Sequence, residues 1–208
     1  MAGIPIIDPY HLPQRSDVCA NIAGWRPDPK RAVLLVHDMQ PFFLRPLPGD
    51  ALAQPLVEKV ESLVSGARAL GVPIAYTAQP GGMTVEQRGL LKDFWGPGMA
   101  VDPVDREIPG DLAPRSGDWV FTKWRYSAFF KTDLLSKFRE TGRDQLVICG
   151  VYAHIGILAT AIEAYSNDIE TFIVADAVAD FTRESHLMAL NYAAQACAVV
   201  AFTEEVWR

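Results

Sequence analysis

Apolar and polar positions alternate along the chain at two spacings. Short unbroken apolar runs stand at "AVLLV" (32–36), "PIAYT" (73–77), "WVFT" (119–122), "QLVIC" (145–149), "TFIVA" (171–175) and "AVVAF" (198–202). Each has strand length, and each is continuous where a half-exposed strand would alternate, so the runs predict strands covered on both faces. Between them the period changes to that of a helix. "PLVEKVESLVSGARALG" carries apolar residues at 56, 57, 60, 63, 64, 67 and 70 and stops at Gly71. "TVEQRGLL" opens on Thr84 with Gln87 three residues on, the spacing of a capping box. Further helices are predicted over "TDLLSKFRETG", capped by Thr132, and over 155–167 and 183–197. Strand and helix alternate from end to end. This pattern predicts a three-layer α/β/α domain, doubly wound, with a six-stranded, mainly parallel sheet of Rossmann type. The expectation is one domain over 1–208, with residues 1–30 as an extended, proline-rich arm. The stretch 92–118, rich in Gly, Pro and Asp, is the longest irregular one, and long loops in compact domains often carry function.

Composition narrows the class. Of 208 residues half are hydrophobic and 21% charged, with a net charge of −6. An acidic chain without a basic run is a poor partner for nucleic acid. Three widely spaced cysteines, Cys19, Cys149 and Cys197, form no CxxC pair and fit reduced thiols in a cytoplasmic protein. The first residues lack the charge-then-apolar layout of a secretion signal, and no run approaches the ~20 apolar residues of a membrane span.

In an open parallel sheet, ligands bind beyond the carboxyl ends of the strands. The residues just past the predicted strands are therefore the candidates. They are His37 and Asp38 after the first, Gln79 with Arg88 further on after the second, and Lys123, Trp124, Arg125 and Tyr126 after the third. Tyr152 and His154 follow the fourth, and Asp176 the fifth. Singly, each has a plain explanation: Asp38 a turn residue, Lys123 a solvated cation, Arg88 a helix-face charge beside Glu86, Trp95 and Tyr126 packing. Together they put carboxylate, cations, amide and aromatic rings in one cleft. The four histidines, at 11, 37, 154 and 186, show no paired ligand spacing, so no metal is expected. No GxGxxG, GxxxxGK[ST] or GxSxG occurs, and no cofactor is expected.

The segments "RAVLLVHDMQPFFL", "AYTAQP", "RGLLKDFWGPGM", "TKWRYSAFF", "GVYAHIGILATAIEAYSNDI" and "FIVADAVADFTRESHLMAL" resemble, in order and along nearly the whole chain, the isochorismatase family. "FLRPLPGD", "SAFF" and "AYSNDI" lean toward its phenazine-pathway branch. The siderophore-pathway branch, some of whose members add a carrier domain that this chain has no room for, is the near alternative. Cysteine hydrolases of the wider superfamily combine an Asp, a Lys and a Cys. By that resemblance Asp38 and Lys123 match, while Gly156 stands where the cysteine would be.

The resemblance implies hydrolysis of an enol ether joining an enolpyruvyl group to a cyclohexadiene, with Asp38 as the acid and Lys123 beside it. Arg88 and Gln79 would take a substrate carboxylate. Backbone N–H groups around Tyr152 and Gly156 would take another anion, and Phe42, Trp95 and Tyr126 would wall the pocket. It further implies a cis peptide between Val151 and Tyr152 and a homodimer. Two other readings stand beside it: an idle relative that only binds a carboxylated metabolite, which the intact Asp38–Lys123 pair opposes, and an amidase, which Gly156 opposes.

Overall fold

The computed structural model describes residues 3–208; Met1 and Ala2 of the expected arm lie outside the described residues. Six strands form one sheet: β1 (Ala32–His37), β2 (Ile74–Ala78), β3 (Trp119–Thr122), β4 (Gln145–Val151), β5 (Glu170–Ala179) and β6 (Val199–Ala201). Their order is β3-β2-β1-β4-β5-β6, and all five pairings are parallel. The expected "mainly parallel" sheet is thus wholly parallel. Among the described residues the helices are α1 (Pro41–Leu44), α2 (Gln54–Ala69), α3 (Val85–Arg88), α4 (Leu91–Trp95), α5 (Pro103–Arg106), α6 (Leu134–Thr141), α7 (Leu158–Ser166), α8 (Arg183–Ala196) and α9 (Thr203–Val206).

Two apolar cores flank the sheet. On one face Leu34, Val36, Val147 and Phe172 meet Leu56, Val60 and Leu63 of α2. On the other Val33, Leu35, Leu146 and Ile148 meet Phe138 of α6, Ala161 of α7 and Leu190 of α8. Side chains of a strand point alternately to opposite faces, so a run buried on both must be apolar at every position, as β1 and β4 are. β3 departs from that expectation. It is an edge strand, and Val120 and Thr122 face solvent.

The capping box of α3 forms as expected: Thr84 Oγ1 accepts from Gln87 N at 3.2 Å, and Gln87 Oε1 accepts from Thr84 N at 2.9 Å. The predicted cap at Thr132 forms only as a long bond, its Oγ1 accepting from Leu134 N at 3.4 Å. α6 opens one residue later, after Asp133, and the Thr132 hydroxyl donates back to the Ala128 carbonyl at 2.6 Å. β5 runs four residues past its predicted end. A register shift after Ile148 lets Val178 and Ala179 pair with Gly150 and Val151. Asp176, expected beyond the strand and in the cleft, is therefore inside it. It points away, accepting from Thr203 N and Oγ1 at 2.8 and 2.9 Å and pairing with Lys59 at 2.7 Å. No described helix is long and apolar enough to cross a membrane.

Candidate active site

The strand order reverses between β1 and β4, and there the connections leave the carboxyl ends of adjacent strands toward opposite faces, α2 on one and α7 on the other. A cavity opens at this point, holding about 580 Å³ of space, part of it open to solvent. Of the residues singled out from the sequence, His37, Asp38, Phe42, Gln79, Arg88, Trp95, Lys123, Arg125, Tyr126, Tyr152 and Gly156 line it, while Trp124, His154 and Asp176 do not.

Asp38 is the first residue past β1 and sits in the left-handed region, φ 52°. A non-glycine residue stays there only when its surroundings hold it. Here Asp38 N donates to the Thr77 carbonyl at 3.2 Å and to Thr77 Oγ1 at 3.1 Å. The same hydroxyl donates to Asp38 Oδ1 at 2.6 Å. Lys123 Nζ donates to Oδ2 at 3.2 Å, and the His37 ring stands 3.7 Å from that oxygen. Lys123 reaches this place because its own N–H continues the β2–β3 ladder onto the Ala78 carbonyl.

Both charged groups are buried, at 5% and 2% exposure. Burial is the largest influence on Asp38 and opposes ionisation. Lys123, His37 and the Thr77 hydroxyl together outweigh it and hold the carboxyl below its ordinary range. Burial likewise lowers Lys123, with Asp38 opposing. Burial pushes His37 down to about 4, so the ring is neutral at pH 7. Its Nδ1 then donates to the Val151 carbonyl at 2.7 Å.

Across the cavity Arg88 is 5% exposed, not the helix-face charge that its neighbour Glu86 suggested. Its guanidinium donates to the Gly96 carbonyl at 3.0 Å, to Gln79 Oε1 at 3.2 Å and to the Trp95 carbonyl at 3.4 Å. No carboxylate among the described residues pairs with it. Burial, with Arg125 nearby, lowers its affinity for the proton. Gly98, at φ +81°, passes close by, since a Cβ there would meet Arg88 Cζ at 2.7 Å. Gln40 ties Gln79 in place from both sides: its Oε1 accepts from Gln79 N at 2.7 Å and its Nε2 donates to the Gln79 carbonyl at 3.0 Å.

The turn after β4 is a π-helical turn, Ala153–Ile157, leading into α7, and Val151–Tyr152 is a cis peptide. Its amides are less available than a free helix N-terminus implies. His154 N donates to Asp180 Oδ2 at 2.7 Å, and the N–H groups of Ile155 and Ile157 both donate to the Tyr152 carbonyl. The Tyr152 hydroxyl is spent on the Phe43 carbonyl at 2.5 Å, leaving its ring face to the cavity. Cys149 lies within β4, fully buried, and burial pushes its thiol far above the usual range.

Sequence reasoning missed Thr77, the inner Phe43, and Phe181, whose ring centroid is 4.5 Å from that of Tyr152 and 5.6 Å from that of Trp95. Ile4 of the arm also lines the cavity. Thr77 ends a predicted strand and was open to finding by the same rule that selected Asp38. Phe181 and Ile4 reach the site through tertiary packing, which no local pattern announces.

A family model described as "Isochorismatase domain" matches residues 32–205. The chain belongs to the isochorismatase family. It is 60% identical to a protein from Pseudomonas fluorescens named phenazine biosynthesis protein PhzD, over 99% of both chains. It is 41% identical to enterobactin synthase component B of Escherichia coli (strain K12), over 98% of this chain and 72% of that protein. Among solved structures, a cysteine hydrolase from Pseudomonas syringae pv. phaseolicola superposes with a TM-score of 0.78 at 23% identity, covering 88% of this chain and 94% of that one, which shows the shared fold.

Proposed function

We propose that the chain hydrolyses the enol-ether bond of 2-amino-2-deoxyisochorismate, and of isochorismate, to pyruvate and the dihydro ring alcohol, as a step of phenazine biosynthesis. One observation carries this reading. A buried carboxyl–ammonium pair, Asp38 and Lys123, shares its cavity with a buried guanidinium, Arg88, that has no carboxylate partner among the described residues. A buried cation without a counter-ion calls for an anionic ligand. Similarity over 99% of both chains to the phenazine protein, against 72% coverage of the enterobactin component, favours the phenazine substrate over the siderophore one.

The reaction needs one proton delivered to carbon. Asp38 in its acid form protonates the methylene carbon of the enolpyruvyl group, which becomes a methyl group and leaves an oxocarbenium ion. Water adds to that cation and returns a proton to Asp38. The hemiketal then breaks its bond to the ring oxygen, which takes up the proton lost from the hemiketal hydroxyl, giving pyruvate and the alcohol. No covalent enzyme intermediate forms. In the free protein Asp38 is held below its ordinary range, so the acid form must arise with the substrate. A bound dianion adds negative charge beside the carboxylate and competes for Lys123, and both effects raise the affinity of Asp38 for a proton. Arg88 and the Gln79 amide are suited to the enolpyruvyl carboxylate, the guanidinium as a planar fork. Phe42, Trp95, Tyr126 and Tyr152 enclose the ring and restrict water.

Pyruvate release, coupled to lactate dehydrogenase, tests the reading with both substrates side by side. Turnover of the amino substrate at the higher kcat/KM supports it. No pyruvate from either substrate sinks it, and ammonia from simple amides points to amidase chemistry instead. The working unit we propose is a homodimer of the single 1–208 domain, acting in the cytoplasm, where its three free thiols stay reduced. Support for a dimer comes from an apolar face beside the cavity, with Leu90 77%, Phe94 68% and Ile162 40% exposed. Sedimentation equilibrium reads the mass directly.

A further inference from the structure

Gly156 is hemmed in from one side. A Cβ built on it would stand 2.4 Å from His37 Cε1, 2.9 Å from His37 Nε2 and 3.1 Å from the Tyr126 carbonyl oxygen. Contacts below about 3 Å are not sustained between carbon atoms, so the obstacle is the imidazole. The ring is poorly placed to yield. His37 is the last residue of β1, 0% exposed, and its Nδ1 is bonded to the Val151 carbonyl. Its backbone is clamped as well: Gly150 of β4 lies opposite it, so close that a Cβ there would be 2.1 Å from the His37 carbonyl oxygen. Asp38 follows immediately in the chain, so the ring and the acid are set by one piece of backbone.

We propose that His37 is a positioning residue that determines the chemistry of the site. Its imidazole fills the space that any side chain at position 156 would need, so the turn presents bare backbone to the substrate. The cleft cannot seat a nucleophile opposite the Asp38–Lys123 pair, and acid chemistry is what remains. The proposal rests on the reading of Asp38 as the acid for its functional meaning, but its steric core does not depend on any substrate.

A double-mutant cycle tests it. Gly156→Ala should lower Tm by about 5 °C or more and cut kcat/KM for pyruvate release by about 100-fold, as expected for overpacking a rigid site. Adding His37→Ala should restore most of the Tm loss and at least about 10-fold of the activity relative to Gly156→Ala alone, a non-additive result for residues in contact. Full restoration is not expected, because the Tyr126 carbonyl remains. If Gly156→Ala does not fold, recovery of soluble protein in the double variant takes the place of Tm, and a double variant that also fails to fold overturns the proposal. So does a Gly156→Ala protein with native Tm, or losses that simply add.

A second readout uses no substrate. With the exposed Cys19 changed to Ser, Gly156→Cys is compared in the His37 and His37→Ala backgrounds. Iodoacetamide should label position 156 at least about 10-fold faster once the imidazole is gone, read by peptide mass spectrometry. Equal rates mean that His37 excludes nothing. Failure of this labelling with normal pyruvate release would reject the His37 role while leaving the function standing. The converse result would reject the function alone.

Discussion

Asp38 and Asp180 make an instructive pair. Both are buried carboxylates standing just past the carboxyl end of a strand, β1 and β5, which flank β4 in the sheet. Asp180 is saturated by fixed donors: His154 Nδ1–H at 2.5 Å and Phe181 N at 2.7 Å on Oδ1, and His154 N at 2.7 Å on Oδ2. It holds the turn after β4 and has no face on the cavity. Asp38 has a hydroxyl on one oxygen, a lysine on the other, and the cavity beside it. A carboxylate tied to rigid donors on both oxygens acts as a strut. One held by a lysine at the cavity wall is where the proposed reaction draws its proton. Burial and position in the fold are alike, so the partners separate structure from chemistry.

The comparison breaks most sharply at Asp38→Asn. General-acid catalysis is worth about 10²–10⁴-fold, and here it is the central step, so kcat should fall by about 10⁴-fold with substrate binding largely retained. Single-turnover kinetics and a binding isotherm check the two halves. Near-normal kcat would show that Asp38 is not the acid. Asp180→Ala should do the reverse. It strands buried N–H donors, so it should cost about 3 kcal/mol of stability in urea unfolding, and any loss of activity should follow unfolding of the turn.

Acid sensitivity of the whole fold comes next, and it belongs to the buried histidines. His37 and His186 are each held at about 4, below the ordinary 6.5. The unfolded chain therefore binds protons that the folded one refuses between these values. Stability is complete above about pH 6.5, falls as pH drops to about 4, and loses up to about 3 kcal/mol per histidine. Denaturant titrations at stepped pH read this slope, and His37→Gln should flatten part of it.

The coupling of Asp38 to its ligand is sharpened by proton uptake. Binding of a non-hydrolysable dianion should take up close to one proton near pH 7, seen as a dependence of binding enthalpy on buffer ionisation. No uptake would place the proton elsewhere. The smallest effect is expected at Thr77→Val, where loss of one hydrogen bond to a charged group, about 1.5 kcal/mol or slightly more, should lower kcat/KM by about 10-fold. An unchanged rate would reduce Thr77 to a backbone clamp.

Much of this was legible in the chain. Runs such as "AVLLV" and "QLVIC", apolar at every position, announce strands covered on both faces, and the helical spacing between them announces the crossovers. Topology then selects the residues past the strand ends, which names Asp38, Gln79, Arg88, Lys123, Tyr126 and Tyr152 in advance, while Phe42, Trp95 and Gly156 were named by the family resemblance. The failures have physical causes. Asp176 was misplaced because a polar residue ends an apolar run on paper, while the backbone ladder, indifferent to side chains, carries β5 on to Ala179. In the turn after β4, the engagement of the His154, Ile155 and Ile157 amides by Asp180 and the Tyr152 carbonyl was not legible, because those acceptors come from a different strand and from the turn's own geometry.

Periodicity and residue chemistry by themselves determined the layers, the parallel sheet and the kinds of groups gathered at its edge, because burial on a pleated or helical surface leaves a local signature. Only the tertiary structure decided which of the two buried aspartates lines the cavity, that Arg88 lacks a carboxylate partner among the described residues, and that the His37 ring leaves no room for a side chain at Gly156. Those are properties of distances between segments far apart in the chain, and the chain encodes them only through the packing that brings the segments together.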